Sequence, residues 1–413
     1  MLVGLDDTDS REGMCTTYLC ARIIAALEDS AAIEGLPRLV RLNPNIPYKT
    51  RGNGALAFAV HGDPDVVWET VTDMIAASRM PGPDTNPGAI LLDAPSPPPV
   101  LEAFYRRALH EEVGIDEAKE LALHLGARLF FCGNGRGIIG ALAAVGARIA
   151  SPTYELIAYR ELGSIGTPRY VDALSVSGMD AALYPSVFDS YDARNGYVAI
   201  APRSPCPVLY GIRGISREAV SSAAALVRSE PVSFSQVFET NQATDAHIED
   251  ADSAGLRRYR SVRLRGRVSD APHDVHHGHV FFSLSDGVGS VICAAYEPTK
   301  EFRTVVRALA VGDDLTVWGG VMETPFGLTI NLEKLEIHTL ASLVRPVVPK
   351  CCGTSMQSIG LSQGYRCRRC GAKVPWDAVS KVAVERGVHP GRYEVPVIAR
   401  RHLARPLALM PCP

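Results

Sequence analysis

A change of period near residue 260 constrains this chain more than any other feature. Before it, short apolar runs alternate with stretches of helical spacing; beyond it, strands follow one another with a single helical interruption. One hydrophobic core does not serve both patterns, and 413 residues exceed what a single core supports. Two to four domains are therefore expected.

The opening reads as a short strand, an acidic turn Asp6-Asp7-Thr8-Asp9-Ser10, and a helix over 15–28. Strands are expected over 38–42 and 55–60, joined by the loop Asn43-Pro-Asn-Ile-Pro-Tyr-Lys-Thr-Arg-Gly-Asn-Gly54, and a helix over 66–78. The stretch 79–100, rich in Pro, Gly and Asp, reads as an insertion or a domain edge. A helix over 118–125, a strand over 128–132, the loop Gly133-Asn-Gly-Arg-Gly137 and a helix over 138–150 follow, then a strand over 154–160. Segments on either side of 79–100 could share one sheet. From 260 to 338, five strands with a helix after the third fit an OB-fold barrel, in which Phe281, Phe282 and Trp318 read as core before base-stacking platforms.

Three carboxylates at the carboxyl end of a strand stand where open α/β layers place ligands. Like charges so close favour a hard cation, and Mg2+ takes carboxylates together with phosphate oxygens. A helix cap explains one of Asp6, Asp7 and Asp9 but not all three. Thr16 and Thr17 fall in the first turn of the next helix, which favours anions; the ordinary alternative is a helix-start residue. Lys49, Arg51 and Gly52 read as a phosphate clamp or a solvated hairpin loop.

The run Gly135-Arg-Gly137-Ile-Ile-Gly140 matches GxGxxG, with Glu161 about twenty residues on, and is the main argument for a dinucleotide-dependent oxidoreductase. Gly133 and Arg136 make a cationic phosphate loop equally well. Asp189 and Asp192 are spaced to hold a cationic substrate, or to sit in a solvated turn. Cys351-Cys352 with Cys367-Arg-Arg-Cys370 suggests a four-sulfur zinc site, but an adjacent pair departs from the usual CxxC knuckle, and a ribbon without metal is the alternative. The other six cysteines are scattered and read as reduced thiols.

Charge is unevenly shared. Residues 341–413 carry 12 Lys or Arg against 3 Asp or Glu in a chain whose net charge is -3, so an acidic body bears a basic end suited to a polyanion. No run of eighteen apolar residues occurs and the first residues lack signal-peptide character, so a cytoplasmic protein without a membrane role is expected.

Together, GLDDTDSREGMCTTYL, RLNPNIPYKTRGNGA, GNGRGIIGALAA, SFSQVFETNQATDAH, HVFFSLSDGVGSVICAAYEPTK and QGYRCRRCG, in this order, resemble the archaeal tRNA-isoleucine agmatinylcytidine synthetase family over almost the whole length. The resemblance implies an α/β and α+β multidomain protein. Its parts would be a kinase-like catalytic domain (1–115), a ferredoxin-like domain (116–250), an OB-fold β-barrel (251–340) and a basic zinc ribbon for tRNA (341–413). It implies ATP, Mg2+ and, through the ribbon, Zn2+, with agmatine and the CAU-anticodon isoleucine tRNA as partners and no obligate protein partner. ATP would activate the 2-oxo group of the wobble cytidine by phosphorylation, releasing AMP and phosphate, and the agmatine amine would displace that oxygen.

Site residues are assigned to this chemistry, Thr16 by similarity to the family and the others from the reading of the residues above. Asp6, Asp7 and Asp9 would hold Mg2+, with Thr16 accepting phosphate. Thr8, Thr17, Lys49, Arg51, Gly52, Gly135, Arg136 and Gly137 would bind ATP, and Asp189 and Asp192 agmatine. In the ribbon, Pro349-Lys-Cys-Cys-Gly353 lacks the first cysteine of the family's CxxC pair in its place. Cys351 must then substitute with changed geometry, or the metal keeps three sulfurs. A non-catalytic OB-fold and zinc-ribbon binding module is the competing class; it leaves the acidic cluster at Asp6 unexplained.

Overall fold

The computed structural model describes residues 1–49, 52–80, 82 and 85–411. Its first unit is built on β1 (Leu2–Asp6), α1 (Thr16–Leu27), β2 (Ala31–Arg41), β3 (Gly54–Gly62), α2 (Pro64–Ser78), β4 (Gly88–Leu92), α3 (Pro99–His110), α4 (Ile115–His124), β5 (Arg128–Phe131) and α5 (Gly137–Gly146). The period of two in the strands sorts their side chains between two cores. Val3, Leu5, Leu56 and Phe58 pack against α1 and α2, whereas Leu2, Ala55, Ala57 and Ile90 pack against α3, α4 and α5.

The stretch 79–100 is not an insertion. Its apolar run Gly88–Leu92 is fully buried and pairs antiparallel with β1 on one side and β5 on the other. The flanking prolines and glycines disguised a central strand only five residues long.

The second unit adds β6 (Thr153–Arg160), α6 (Ala173–Leu183), β7 (Val187–Phe188), the small hairpin β8 (Tyr191–Asp192) and β9 (Tyr197–Val198), β10 (Val208–Gly214), α7 (Arg217–Ala224) and β11 (Val232–Thr240). Helices α6 and α7 cover one face through Val176, Met179, Val220 and Ala223. Both units share one nine-stranded sheet of order β5-β4-β1-β3-β2-β11-β6-β10-β7. They meet where β2 runs parallel to β11, at Arg38 opposite Glu239 and Leu39 opposite Thr240. The strands on either side of the GxGxxG run, β5 and β6, lie at distant places in that order, so the parallel neighbours of a dinucleotide fold do not form.

After β12 (Ile248–Asp250), the barrel comprises β13 (Ser261–Val275), β14 (His279–Ser285), β15 (Ser290–Ala295), α8 (Phe302–Arg307), β16 (Asp314–Thr324) and β17 (Gly327–Thr339). It closes by antiparallel pairing of β13 with β16, the five-strand OB pattern with its helix after the third strand. Phe282 and Trp318 are core, as expected, whereas Phe281 is only half-buried and meets Tyr296 edge-on. Short strands between residues 344 and 383 form the ribbon, tied to the barrel by Arg386, whose guanidinium grips buried Asp313 at 2.5 and 2.8 Å.

Beyond the ribbon the chain returns. Gly391–Glu394 extends the barrel sheet beside β17. Residues 395–405 then form a strap across all three units: Leu403 is buried in the core shared by α3 and α5, Ala243 N–H and Asp245 N–H donate to the carbonyls of His402 and Leu403, and Lys334 Nζ meets Asp245 at 2.6 Å. Among the described residues no helix is long and apolar enough to cross a membrane.

Candidate active site

The carboxyl end of β1 delivers Asp6, Asp7 and Asp9 to a cleft also lined by Thr16, Tyr48, Lys49, Glu111 and Arg136. Asp9 Oδ1 accepts the backbone N–H of Thr16 at 2.6 Å and its hydroxyl at 3.1 Å, so this carboxylate does cap α1 while facing the cleft. Asp7 adopts a left-handed φ of 57° and its Oδ2 accepts Asn86 N–H at 3.1 Å. Burial, then the charge of Asp7, raises the Asp6 carboxyl well above the usual carboxylate range.

The three carboxylates do not close into one cage. Among the described residues, only the four ribbon cysteines bring three or more ligand atoms of His, Cys, Asp or Glu within 4.8 Å of one another. Such an open arrangement suits Mg2+, which takes one or two carboxylates and completes its shell with phosphate oxygens and water.

The glycines of the GxGxxG run have a packing role. A Cβ on Gly140 would lie 1.8 Å from Asp6 Oδ2, and one on Gly137 would lie 2.3 Å from Gly88 N and 2.7 Å from Asp6 O. Their absence of side chain lets α5 start directly behind the acidic strand end. Gly135 turns with φ 80° against Lys119, and the Arg136 guanidinium lies 4.4 Å from the Tyr48 ring centroid on the rim of the cleft. Burial, then the charge of Arg401, lowers the Lys49 ammonium, whose Nζ donates to Pro44 O. Arg51 lies outside the described residues. Thr8 is buried, its hydroxyl without a partner among the described residues, and the Thr17 hydroxyl lies 3.1 Å from Cys15 Sγ.

Asp9 and Thr16 also border a second cleft of about 380 Å3, which runs between the two halves of the sheet under the strap. Thr17, Gly52 and Asp189 line it together with Arg41, Glu155, Arg213, Arg400 and His402. Asp189 is buried, with Oδ2 3.3 Å from Arg213 Nη1 and Oδ1 accepting from Arg400 Nη1. Asp192 lies outside this cleft: its Oδ2 accepts Ile398 N–H at 3.1 Å and its Oδ1 the backbone N–H of Asn195 at 3.1 Å.

Sequence reasoning passed over Arg41, Glu155, Arg213, Arg400 and His402. The available signal was a charge inside an apolar strand, as Glu155 stands in Thr153–Arg160 and Arg213 in Val208–Gly214. The strap residues gave none, because only the fold carries them to the cleft.

In the ribbon, the left-handed backbone of Cys352 (φ 50°) and Gly353 (φ 72°) turns the adjacent cysteines toward one centre. Cys351 Sγ lies 3.8 Å from Cys352 Sγ and 3.5 Å from Cys370 Sγ, close to the roughly 3.8 Å separation set by tetrahedral Zn–S bonds of about 2.3 Å. The donor set therefore fits zinc, with Cys351 as the fourth sulfur. Backbone N–H groups of Cys370 and Arg369 lower the Cys367 thiol to about 7, whereas hydrogen bonding with Cys370 raises those of Cys351 and Cys352.

This arrangement is matched by known proteins. Residues 2–65 fit the model of the TiaS TCKD domain, 135–247 the TiaS FLD domain, 262–337 the OB-fold nucleic acid binding domain and 348–388 the TiaS C-terminal zinc ribbon domain. The isoleucine-tRNA 2-agmatinylcytidine synthetase TiaS of Methanosarcina acetivorans is 45% identical, over 99% of this chain and 97% of that one. The chain belongs to the TiaS family. Among solved TiaS structures, the complex of TiaS with its isoleucine tRNA and ATP superposes with a TM-score of 0.91 at 44% identity, covering all of this chain and 97% of that one. The complex of TiaS with the same tRNA, AMPCPP and agmatine does so with a TM-score of 0.86 at 41% identity, covering 99% and 97%.

Proposed function

We propose that this protein is an ATP-dependent carbon-nitrogen ligase that joins agmatine to the wobble cytidine of the CAU-anticodon isoleucine tRNA. The observation that carries the reading is the acidic cleft at Asp6, Asp7 and Asp9, which shares Asp9 and Thr16 with a second cleft. Relatives similar along their whole length bear this activity in their names, and the related crystal structures hold isoleucine tRNA, ATP and agmatine.

The 2-oxo oxygen of cytosine is a poor leaving group, and phosphorylation converts it into a good one. Mg2+, when bound at Asp6, Asp7 and Asp9, supplies charge neutralisation between phosphate and acceptor. Asp9 orients Thr16, the proposed phosphate acceptor, through its hydroxyl and backbone N–H. Lys49, Arg136 and the amides ahead of α5 are assigned to the ATP phosphates. AMP is the proposed nucleotide product, which requires both phosphoanhydride bonds to break, one with water as acceptor. Asp189 is the carboxylate assigned to the agmatine cation, with Asp192 acting behind it by holding the 191–198 hairpin to the strap. The OB barrel and basic ribbon are assigned to tRNA, with the target base turned out of its stack.

The test is incubation with ATP, Mg2+, labelled agmatine and an unmodified CAU-anticodon tRNA transcript, followed by nuclease digestion and mass analysis. Label on the wobble cytidine is the expected result. tRNA binding with neither ATP turnover nor label would leave a binding module instead.

A further inference from the structure

We infer that Arg41, Arg213 and the ring of His402 form a receiving site for a phosphate group on the wall of the second cleft, separate from the ATP phosphates at Asp6. The inference rests on the ligase reading above and assigns an anion to this wall, beside the agmatine cation at Asp189.

The two guanidiniums are short of partners. Arg41 Nη1 has a long contact of 3.4 Å to Gly52 O, and Arg213 Nη1 the 3.3 Å contact to Asp189. Both otherwise address one carboxylate, Glu155, at 3.8 Å from Arg41 Nη2 and 3.9 Å from Arg213 Nε, beyond hydrogen-bonding distance. Glu155 gives its closest contact to Gln242 Nε2, at 2.6 Å. Arg41 Nε, Arg213 Nε and His402 Nδ1 are all enclosed and, among the described residues, without a hydrogen-bond partner. Unsatisfied enclosed donors of the two guanidiniums are costly, and a native structure keeps them together where a ligand completes them.

Polarity of the field supports an anion. The charge of Arg41, then burial, then the charge of Arg213, pushes the His402 imidazole well below its ordinary value. Positive potential thus persists at the ring although Glu155, Asp189 and Asp9 line the same cleft. At that wall, between Arg41 and Arg213, a tetrahedral oxyanion is attracted.

Position supports a phosphate. Thr16 and Asp9 border both clefts, so the second cleft begins where the phosphoryl group would stand. When the amine attacks C2 of the activated base, a C–N bond forms and the C2–O bond breaks. Orthophosphate leaves with that oxygen and its electron pair, and the amine nitrogen gives up a proton. A positive wall beside the leaving group favours this separation. An RNA backbone phosphate flanking the target nucleotide offers the same oxyanion chemistry, so the test separates the two sources.

The experiment titrates inorganic phosphate, and separately dimethyl phosphate, into the full-length protein saturated with a non-hydrolysable ATP analogue and Mg2+, with calorimetric detection. One equivalent of phosphate is expected to bind with the analogue in place. Arg213→Gln and the gentler His402→Gln should each weaken it tenfold or more while analogue affinity stays within twofold; if R213Q fails to fold, H402Q and Arg41→Lys decide. Phosphate without the diester identifies the leaving orthophosphate as occupant; equal binding of the diester identifies an RNA backbone phosphate. No uptake by the analogue-loaded protein, or uptake indifferent to the folded variants, overturns the site. The titration needs neither tRNA nor agmatine, so its outcome is distinguishable from a failure of the ligase reading.

Discussion

Gly140→Ala tests the packing role assigned to the GxGxxG run. The added Cβ would stand 1.8 Å from Asp6 Oδ2, 2.5 Å from its Cγ and 2.8 Å from its Cβ. Ordinary contact needs about 3.5 Å, so either α5 retreats from β1 by more than about 1.5 Å or the Asp6 side chain is driven out of its seat. Overpacking of this kind costs about 1–3 kcal/mol. Alanine regains up to about 1 kcal/mol over glycine within a helix. A net loss near 2 kcal/mol is expected, toward the upper end because the displaced neighbour is a carboxylate. At roughly 2–4 °C per kcal/mol for a unit of this size, Tm should fall by about 4–8 °C. Affinity for Mg2+-ATP should fall with it, because Asp6 would leave the cleft. Thermal melts and ATP-analogue binding measure both; wild-type values for each would refute the claim that this glycine exists to let the helix approach Asp6.

Asp9→Ala should abolish ATP turnover while tRNA affinity stays within a few fold, since no ribbon residue lines the acidic cleft; equal loss of both in turnover and gel-shift assays contradicts the separation. Cys367→Ser should release bound zinc in a chromogenic chelator assay and weaken tRNA binding more than ATP turnover. Burial raises the Glu333 carboxyl, but His247, Arg401 and Lys334 outweigh it and hold it at about 2, below its ordinary value. Its contribution, roughly 3 kcal/mol, is therefore present above about pH 4.5 and is lost as pH falls from there toward 2. Glu333→Gln should be less stable at neutral pH, by chemical denaturation, with a flatter acid limb. Leu403→Ala should cost about 2–5 kcal/mol and loosen the strap, read as new protease sensitivity after the ribbon.

The acidic cleft was legible because its residues are adjacent: Asp6, Asp7, Asp9 and Thr16 lie within one strand, turn and helix, and their fold-level neighbourhood follows from local pattern. The OB barrel was legible for the same reason, each strand alternating and each turn marked. Two features escaped. Gly88–Leu92 is a central strand of only five residues set among prolines, below the length at which period can be read. The second cleft is assembled from Arg41, Glu155, Arg213, Arg400 and His402, which no spacing connects. Asp189 stood out in the sequence as a candidate for a cationic substrate, but its pairing with Arg213 and Arg400 depends on a strap whose path only tertiary structure shows. Likewise the Cys351-Cys352 pair looked irregular until the left-handed turn at Cys352 brought both sulfurs to one point.

The strap also sets an order of events during synthesis. Leu403 fills the core beside α3 and α5, but it is translated some 257 residues after α5 ends at Gly146. At about 5–20 residues per second, the first unit waits roughly 13–50 s for its last buried side chain. In that interval the barrel and ribbon emerge and fold. Catalytic competence therefore comes last, after the parts that grip RNA, and a nascent chain holds its substrate-binding modules before it can spend ATP.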